Sequence, residues 1–417
     1  MTTVDVRRLR LGASFVLLAY LTLHLSNHAL GLVSLETMEA GQRWFTALWR
    51  SALGTVALYG AFTVHGVLAL WLLYRRGSLR MPAWEAAQYG LGLALPALLA
   101  IHVVGTRIAW WRLGADDPYA RVVLGLWVVG PPRGIWQAIT LVVAWLHGGI
   151  GLHYWLRFRS WYPRAAPWLL CVALLLPVLA LLGFVTAGRE VAALARTPGW
   201  ADTLVRETHA PRPAESAMLV AIRQTFLNAY LAALVGVLVA REVRRLARGR
   251  GAVRVTYPDG RVVAAPRGLT ILEVSRLGGI PHASVCGGRG RCSTCRVRVV
   301  RGLADLPPPH DTERRVLARV SAAPDVRLAC QTRAVSDVAI LPLVVPTVEP
   351  AAAMAPDARQ GRERELAVLF ADLSASRAWP RTSYRTTSCS SSTATSPRSA
   401  PRSPVPAESP TSSPATA

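Results

Sequence analysis

The sequence predicts a multidomain fold: a six-helix transmembrane bundle over residues 1–248, a small α+β domain over 252–345 and a disordered tail over 374–417. Three observations carry this expectation. Hydrophobic residues make up 52% of the 417 and charged ones 17%, too apolar a balance for an ordinary soluble protein of this length. Long apolar runs recur as far as Ala240, and short strand-like alternation replaces them after Ala252. The final stretch is rich in Ser, Thr, Pro and Ala and cannot bury enough surface to fold.

Runs of about 20 apolar residues, enough to cross a bilayer core, lie at Leu9–Val33, Ala52–Tyr74, Trp84–Trp111, Ile135–Leu156, Pro167–Ala187 and Ala217–Ala240. The first is too long, and too poor in small residues at its end, for a cleavable signal peptide. The formal charge of +23 is carried by Arg alone, because the chain has no Lys. Many of these arginines cluster at the ends of apolar runs, which favours a membrane and speaks against a nucleic-acid partner. The N-terminal "RRLR", the connections "LYRRGSLR" and "LRFRSWYPR", and "REVRRLARGR" after the sixth run hold few acids. The alternate loops mix Arg with Glu36, Glu39, Asp116, Asp117, Glu190 and Asp202. The positive-inside rule then puts both termini in the cytoplasm.

Six of the nine histidines lie in the first four runs: His24, His28, His65, His102, His147 and His153. One imidazole at membrane depth is usually an interhelical hydrogen bond; six in four helices point to metal or haem ligands. Depth suggests the pairing. His65 and His147 each stand ten residues before an Arg at a span end, Arg75 and Arg157, and form one expected pair. His102 and His28 form a second, outer pair, with His24 one turn from His28 as its alternative or as a propionate or quinone contact. Arg107, just beyond His102, is a propionate partner by charge.

The stretches "LTLHLSNHALGL", "TVHGVLALWLLYRR", "LLAIHVVGTR" and "WLHGGIGLHYWLR" resemble the diheme cytochrome b anchors of succinate dehydrogenase and fumarate reductase. The resemblance implies two haem b groups and a quinone partner within a bacterial inner membrane.

From Ala252 the chain reads strand, Pro-Asp-Gly turn, strand and short helix, then "SVCGGRGRCSTCRVRVVRG" and "VRLACQTR". Cys286, Cys292, Cys295 and Cys330 thus stand as C-x5-C-x2-C followed by a distant fourth thiol. Gly287, Gly288 and Gly290 let the backbone wrap close to a cluster. A four-Cys zinc site would more often show two CxxC knuckles, and only one is present. Cys171 lies inside the fifth run, where an inert buried thiol is expected. This segment resembles the [2Fe-2S] ferredoxins of the adrenodoxin-like branch, which implies a β-grasp domain, a [2Fe-2S] cluster and a reducing compartment.

A Pro- and Ala-rich linker, 346–364, leads to "ELAVLFADL" at 365–373. That stretch resembles the opening strand of class III adenylate cyclase domains, in which an Asp at the position of Asp372 helps hold two Mg2+ ions. The rest of such a domain has no counterpart in this chain, so no cyclic AMP synthesis is expected, and Mg2+ would bind only in a complete domain. A second reading frame through 383–396 permits an apolar run, and a frameshift is the expectation for the tail.

Two functions compete on these grounds. The first is a membrane-bound redox sensor whose haem and cluster bias a cyclase output, with a homodimer implied by the cyclase likeness. The second is an electron carrier between membrane quinol and a soluble partner.

Overall fold

The computed structural model describes residues 3–248 and 251–347. The strand at 365–373 with Asp372, the tail, and the linker from 348 onward lie outside the described residues.

Six helices among the described residues are long and apolar enough to cross a membrane. The first is α1 (Thr3–Ala29). After it, α2 (Leu35–Trp49) is amphipathic, its first turn capped by Ser34 Oγ, which accepts the Thr37 N–H at 3.0 Å. The second span is α3 (Ala52–Arg75). The third is α4 (Ala83–Val103), continued through a π-turn at Val104–Ile108 into α5 (Ala109–Leu113). A short helix, α6 (Tyr119–Val123), precedes the fourth span, α7 (Pro131–Leu156), and the fifth, α8 (Tyr162–Leu194). The short α9 (Trp200–Glu207) and the sixth span, α10 (Pro213–Arg248), complete the bundle.

The four histidine-bearing spans enclose a common interior: α1 packs on α3 and α7, and α4 on α7. The fifth span, α8, covers the outside of α1, and α10 covers α3 and α4. Contact between α1 and α8 is backbone to backbone. A Cβ on Gly183 would stand 2.1 Å from the His28 carbonyl oxygen and one on Gly31 2.5 Å from that of Gly183, so small residues set the approach.

The mixed-charge loops at the far end of the bundle use their acids as backbone acceptors. Glu190 Oε2 takes the Leu35 N–H and Glu39 Oε1 the Ala120 N–H, each at 3.0 Å. Asp117 receives Arg50 Nη2 on both oxygens, at 2.7 and 2.8 Å. Leu35, Met38, Tyr119, Val123, Phe184 and Val191 form a core beneath these caps.

The second part of the chain is a five-stranded sheet in the order β2-β1-β5-β3-β4. A hairpin of β1 (Ala252–Thr256) and β2 (Val262–Pro266) is followed by α11 (Ile271–Leu277). Thr270 and Glu273 close a capping box at the start of that helix. Then come β3 (Arg296–Arg301), α12 (Asp311–Arg319), β4 (Val326–Leu328) and β5 (Val338–Pro342), with β5 parallel to β1 and antiparallel to β3. The core is built from Val253, Val255, Ile271, Val274, Val297, Leu328 and Ile340.

Glu313 on α12 is fully buried, and it fixes the segment that follows β4. Its carboxylate accepts Arg327 Nε at 2.9 Å and Nη2 at 3.1 Å, the Leu328 N–H at 2.8 Å and Thr332 Oγ1 at 3.0 Å. Removing one member of a buried pair leaves the other charge uncompensated. Glu313→Ala should therefore lower the stability of this domain by about 3–5 kcal/mol, while Arg254→Ala, on the rim, should cost under about 1 kcal/mol. Thermal loss of the domain's visible absorption measures both.

Candidate functional site

The cysteine loop follows α11 and precedes β3. Gly287, Gly288 and Gly290 all have positive φ, +69°, +86° and +60°, a region where a side chain costs about 1–2 kcal/mol. These turns fold the chain back on itself and bury all four sulfur-bearing residues. Cys330 arrives from the other direction, on the segment that Glu313 holds, and its Sγ accepts Gln331 Nε2 at 3.3 Å.

The four thiols act on one another's ionisation, Cys286 with Cys292 and Cys295 with Cys330 most strongly. The Cys292 hydrogen bond holds the Cys286 thiol well below its ordinary range against the opposing effect of burial, and backbone N–H groups of Arg291, Cys292 and Arg289 add to it. The partner thiols shift the other way. Cys292 is pushed up by its bond to Cys286 and by burial, and Cys295 by its bond to Cys330 and by burial. Among the described residues no three His, Cys, Asp or Glu side chains converge on a single-ion site. Four buried cysteines, three of them on a loop that turns at three glycines, suit an iron-sulfur cluster.

A cavity of about 890 Å³ runs through the interior of the four histidine-bearing spans. His24, His28, His65, His102 and His147 all line it, and it ends against Gly287, Gly288 and Cys330 of the ferredoxin part. His153 is not among its walls; its Nδ1 lies 2.7 Å from the Tyr162 hydroxyl.

Two rings bonded to one metal ion at about 2 Å each stand with centroids roughly 6 Å apart. The His65 and His147 rings are 6.1 Å apart and nearly perpendicular, at 88°. Their tautomers are fixed by their neighbours. His147 Nδ1 lies 3.1 Å from the Gln88 carbonyl oxygen, an acceptor only, so this nitrogen carries the proton. Ser14 Oγ donates to the Arg10 carbonyl oxygen and so accepts from His65 Nδ1 at 3.1 Å. Both Nε2 lone pairs are left for the interior, the arrangement found in metal-ligating imidazoles. Gly92 makes room for it: a Cβ there would stand 2.6 Å from His147 Cε1.

At the far end His24, rather than His28, faces His102, with centroids 5.8 Å apart. His28 is one turn, about 6 Å, further along α1 and lies against Tyr119 and Phe184, at 5.5 and 5.6 Å. The His24–His102 separation suits the alternative that the sequence allows, with the His28 ring 4.7 Å from that of His24. Sequence distance from a span end gives height to within a turn, and one turn separates the two candidates. The Nδ1 atoms of His24 and His28 are buried with no hydrogen-bond partner among the described residues. Arg107 is turned inward by the π-turn after His102 and gives Nη2 to Thr55 Oγ1 at 3.0 Å; its Nη1 is buried without a partner among the described residues. Imidazole nitrogens and a guanidinium group with buried, unpartnered atoms among the described residues thus share one cavity.

Three contributors escaped the sequence reading. Ser14 and Gln88 orient imidazoles, and Arg50 closes the far end of the cavity against Asp117. Gln88 acts through its backbone carbonyl, which no residue type signals.

The 2Fe-2S iron-sulfur cluster binding domain family matches residues 255–335. The 2Fe-2S ferredoxin-5 of Aquifex aeolicus is 34% identical over 65 residues, 15% of this chain and 68% of that protein. A component of the Na(+)-translocating NADH-quinone reductase of Methylococcus capsulatus is 32% identical over 106 residues, 25% of each. The chain thus spans about a quarter of the length of that relative. Among solved structures, the ISC-like [2Fe-2S] ferredoxin from Pseudomonas putida is 30% identical, with 21% of this chain and 90% of that one covered and a TM-score of 0.20.

At Gly290 a Cβ would meet Thr312 Cγ2 at 2.9 Å, besides the positive φ. Gly290→Ala should therefore make the cysteine loop less stable by about 1–2 kcal/mol, seen as a lower temperature for bleaching of the cluster's visible bands. With its match over residues 255–335 and its 34% identity to a ferredoxin covered over 68% of its length, this chain belongs to the [2Fe-2S] ferredoxins, joined here to six helices of membrane-crossing length.

Proposed function

We propose that the chain is a membrane-bound redox module carrying a [2Fe-2S] cluster on Cys286, Cys292, Cys295 and Cys330 and two haem b groups in the bundle. His65 and His147 would hold the haem nearer the ferredoxin, and His24 and His102 the far one, with Arg107 placed for a propionate. One observation carries the reading: two imidazole couples at metal-bridging separation line a single cavity that ends at the cysteine loop. When bound, such groups take up and release single electrons.

The chain's own residues supply the rest. Gln88 and Ser14 fix the tautomers that turn Nε2 inward. The four cysteines would hold a cluster, and the backbone N–H groups around them would stabilise its negative charge. The apolar walls exclude water, which raises the strength of every charge interaction inside. Electrons from a membrane quinol have a route to the ferredoxin, or the reverse.

The cyclase-linked sensor is the form we favour in a chain that continues as "ELAVLFADL" begins. That segment has no role in a simple carrier, and a homodimer would follow from it. The carrier between quinol and a soluble partner is the second reading; the likeness to a component of an NADH-quinone reductase favours it. A quinol-driven change in the output of a chain with an intact downstream frame decides for the sensor.

The purified chain should show bis-imidazole haem bands at two haems per polypeptide, together with a [2Fe-2S] electron paramagnetic resonance signal on reduction. His65→Ala or His147→Ala should retain one haem, as should His24→Ala or His102→Ala, whereas His28→Ala should keep both. Cys292→Ser should lose the cluster signal and keep the haem bands. A colourless parent protein, made with ample iron and haem, sinks the reading.

A further inference from the structure

The cysteine loop is seated on the membrane part of the chain. A Cβ at Gly287 would stand 3.1 Å from the Trp84 ring, at the start of α4. Trp84 in turn stacks on Tyr154 of α7, with centroids 3.7 Å apart and planes 16° from parallel. Phe158 packs with Cys286 and Cys292.

Polar contacts hold the seat. Arg157 Nη2 donates to the Val285 carbonyl oxygen and Arg291 Nη2 to that of Trp155. The Ser78 N–H reaches Glu273 Oε1 at 3.2 Å, and Arg80 Nη1 the Leu277 carbonyl oxygen at 2.6 Å. Guanidinium groups cover the aromatic faces, with Arg289 5.4 Å from the Trp84 centroid and Arg157 4.2 Å from that of Tyr154.

The stack points at the nearer imidazole couple. Tyr154 is two turns beyond His147 on α7, about 10 Å along the axis. Trp84 is on the helix whose Gly92 lies against the His147 ring. Two parallel aromatic rings therefore link Gly287 to the helix that carries His147, beside the cavity that runs from that couple to the cysteine loop.

We propose that Trp84 and Tyr154 are the bridge by which single electrons pass inside this chain between the cluster and the nearer haem, with no soluble carrier between them. The inference rests on the reading of both centres given above. One electron would leave a cluster held by the four cysteines and enter a haem held by His65 and His147, or the reverse, with no proton moved and no bond made. Neither ring reacts. They are positioning residues that keep the two centres close and coupled.

The test uses the full chain in lipid nanodiscs. A light flash on a deazaflavin reductant reduces the cluster, and the rise of the reduced haem band is timed, with Cys292→Ser defining the part of the signal that needs the cluster. Trp84→Leu and Tyr154→Leu should each slow that phase by on the order of tenfold or more, with haem content and cluster signal unchanged. Trp84→Phe, which keeps a ring on Gly287, should retain most of the rate, and Trp161→Leu, an exposed aromatic nearby, all of it. A benzophenone amino acid at Arg80 should crosslink to residues 270–280 whether or not either centre is loaded. An unchanged rate in both Leu variants of a chain that shows its haem bands overturns the bridge alone. No crosslink to the ferredoxin part overturns the seat, and a parent chain without haem bands overturns this inference and the reading beneath it.

Discussion

An imidazole buried among apolar helices must have a use for both of its ring nitrogens, and much of the bundle is arranged around that requirement. A buried polar atom left without a partner costs about 1–3 kcal/mol, and no water is at hand to relieve it inside a membrane. His65 and His147 meet it on one side through Ser14 and the Gln88 carbonyl. Gly92 and the π-turn after His102 are local departures from ideal helix composition and geometry that serve the same interior. His24 and His28 keep one buried nitrogen each without a partner among the described residues, as does one nitrogen of Arg107. A bundle built only to pack would have used Leu at these positions.

The ferredoxin part solves a related problem with sulfur. Its thiols are buried together, and their effects on one another hold Cys286 low while Cys292 and Cys295 are pushed up. The cysteine loop is irregular and gains little from packing of its own. Its shape depends on anchors elsewhere: the capping box at Thr270 and Glu273, and the four hydrogen bonds of Glu313 that hold the segment bearing Cys330. The cluster site is thus stabilised from α12 and β4, and Thr312 of α12 lies against Gly290 of the loop.

Much of this was legible in the sequence, because the strongest signals are the most local. Apolar length marks the six spans, although α8 and α10 run several residues past the apolar core, since Pro163 and Pro213 fit the first turn of a helix. The cysteine spacing locates the loop. The pairing of His65 with His147 follows from equal distances to Arg75 and Arg157. Choosing between His24 and His28 does not, because it depends on how α1 and α4 are placed lengthwise, and no residue count contains that. The amphipathic α2 sits where the sequence suggests only a connecting loop, despite Ser34 and the apolar spacing after it. Trp84 and Tyr154 read as ordinary aromatics at the membrane boundary; only the cysteine loop seated against Trp84 sets them apart.

Only three residues separate the end of α10 from the start of β1. A leash that short keeps the ferredoxin at an effective concentration on the order of millimolar or higher beside its landing place. The joint is also made from guanidinium groups on aromatic faces and backbone carbonyls rather than from opposed surface charges. Contacts of that kind weaken less with ionic strength than the charge-steered encounters of freely diffusing partners. Dilution and salt, which separate a soluble ferredoxin from its reductase, should leave this pair together.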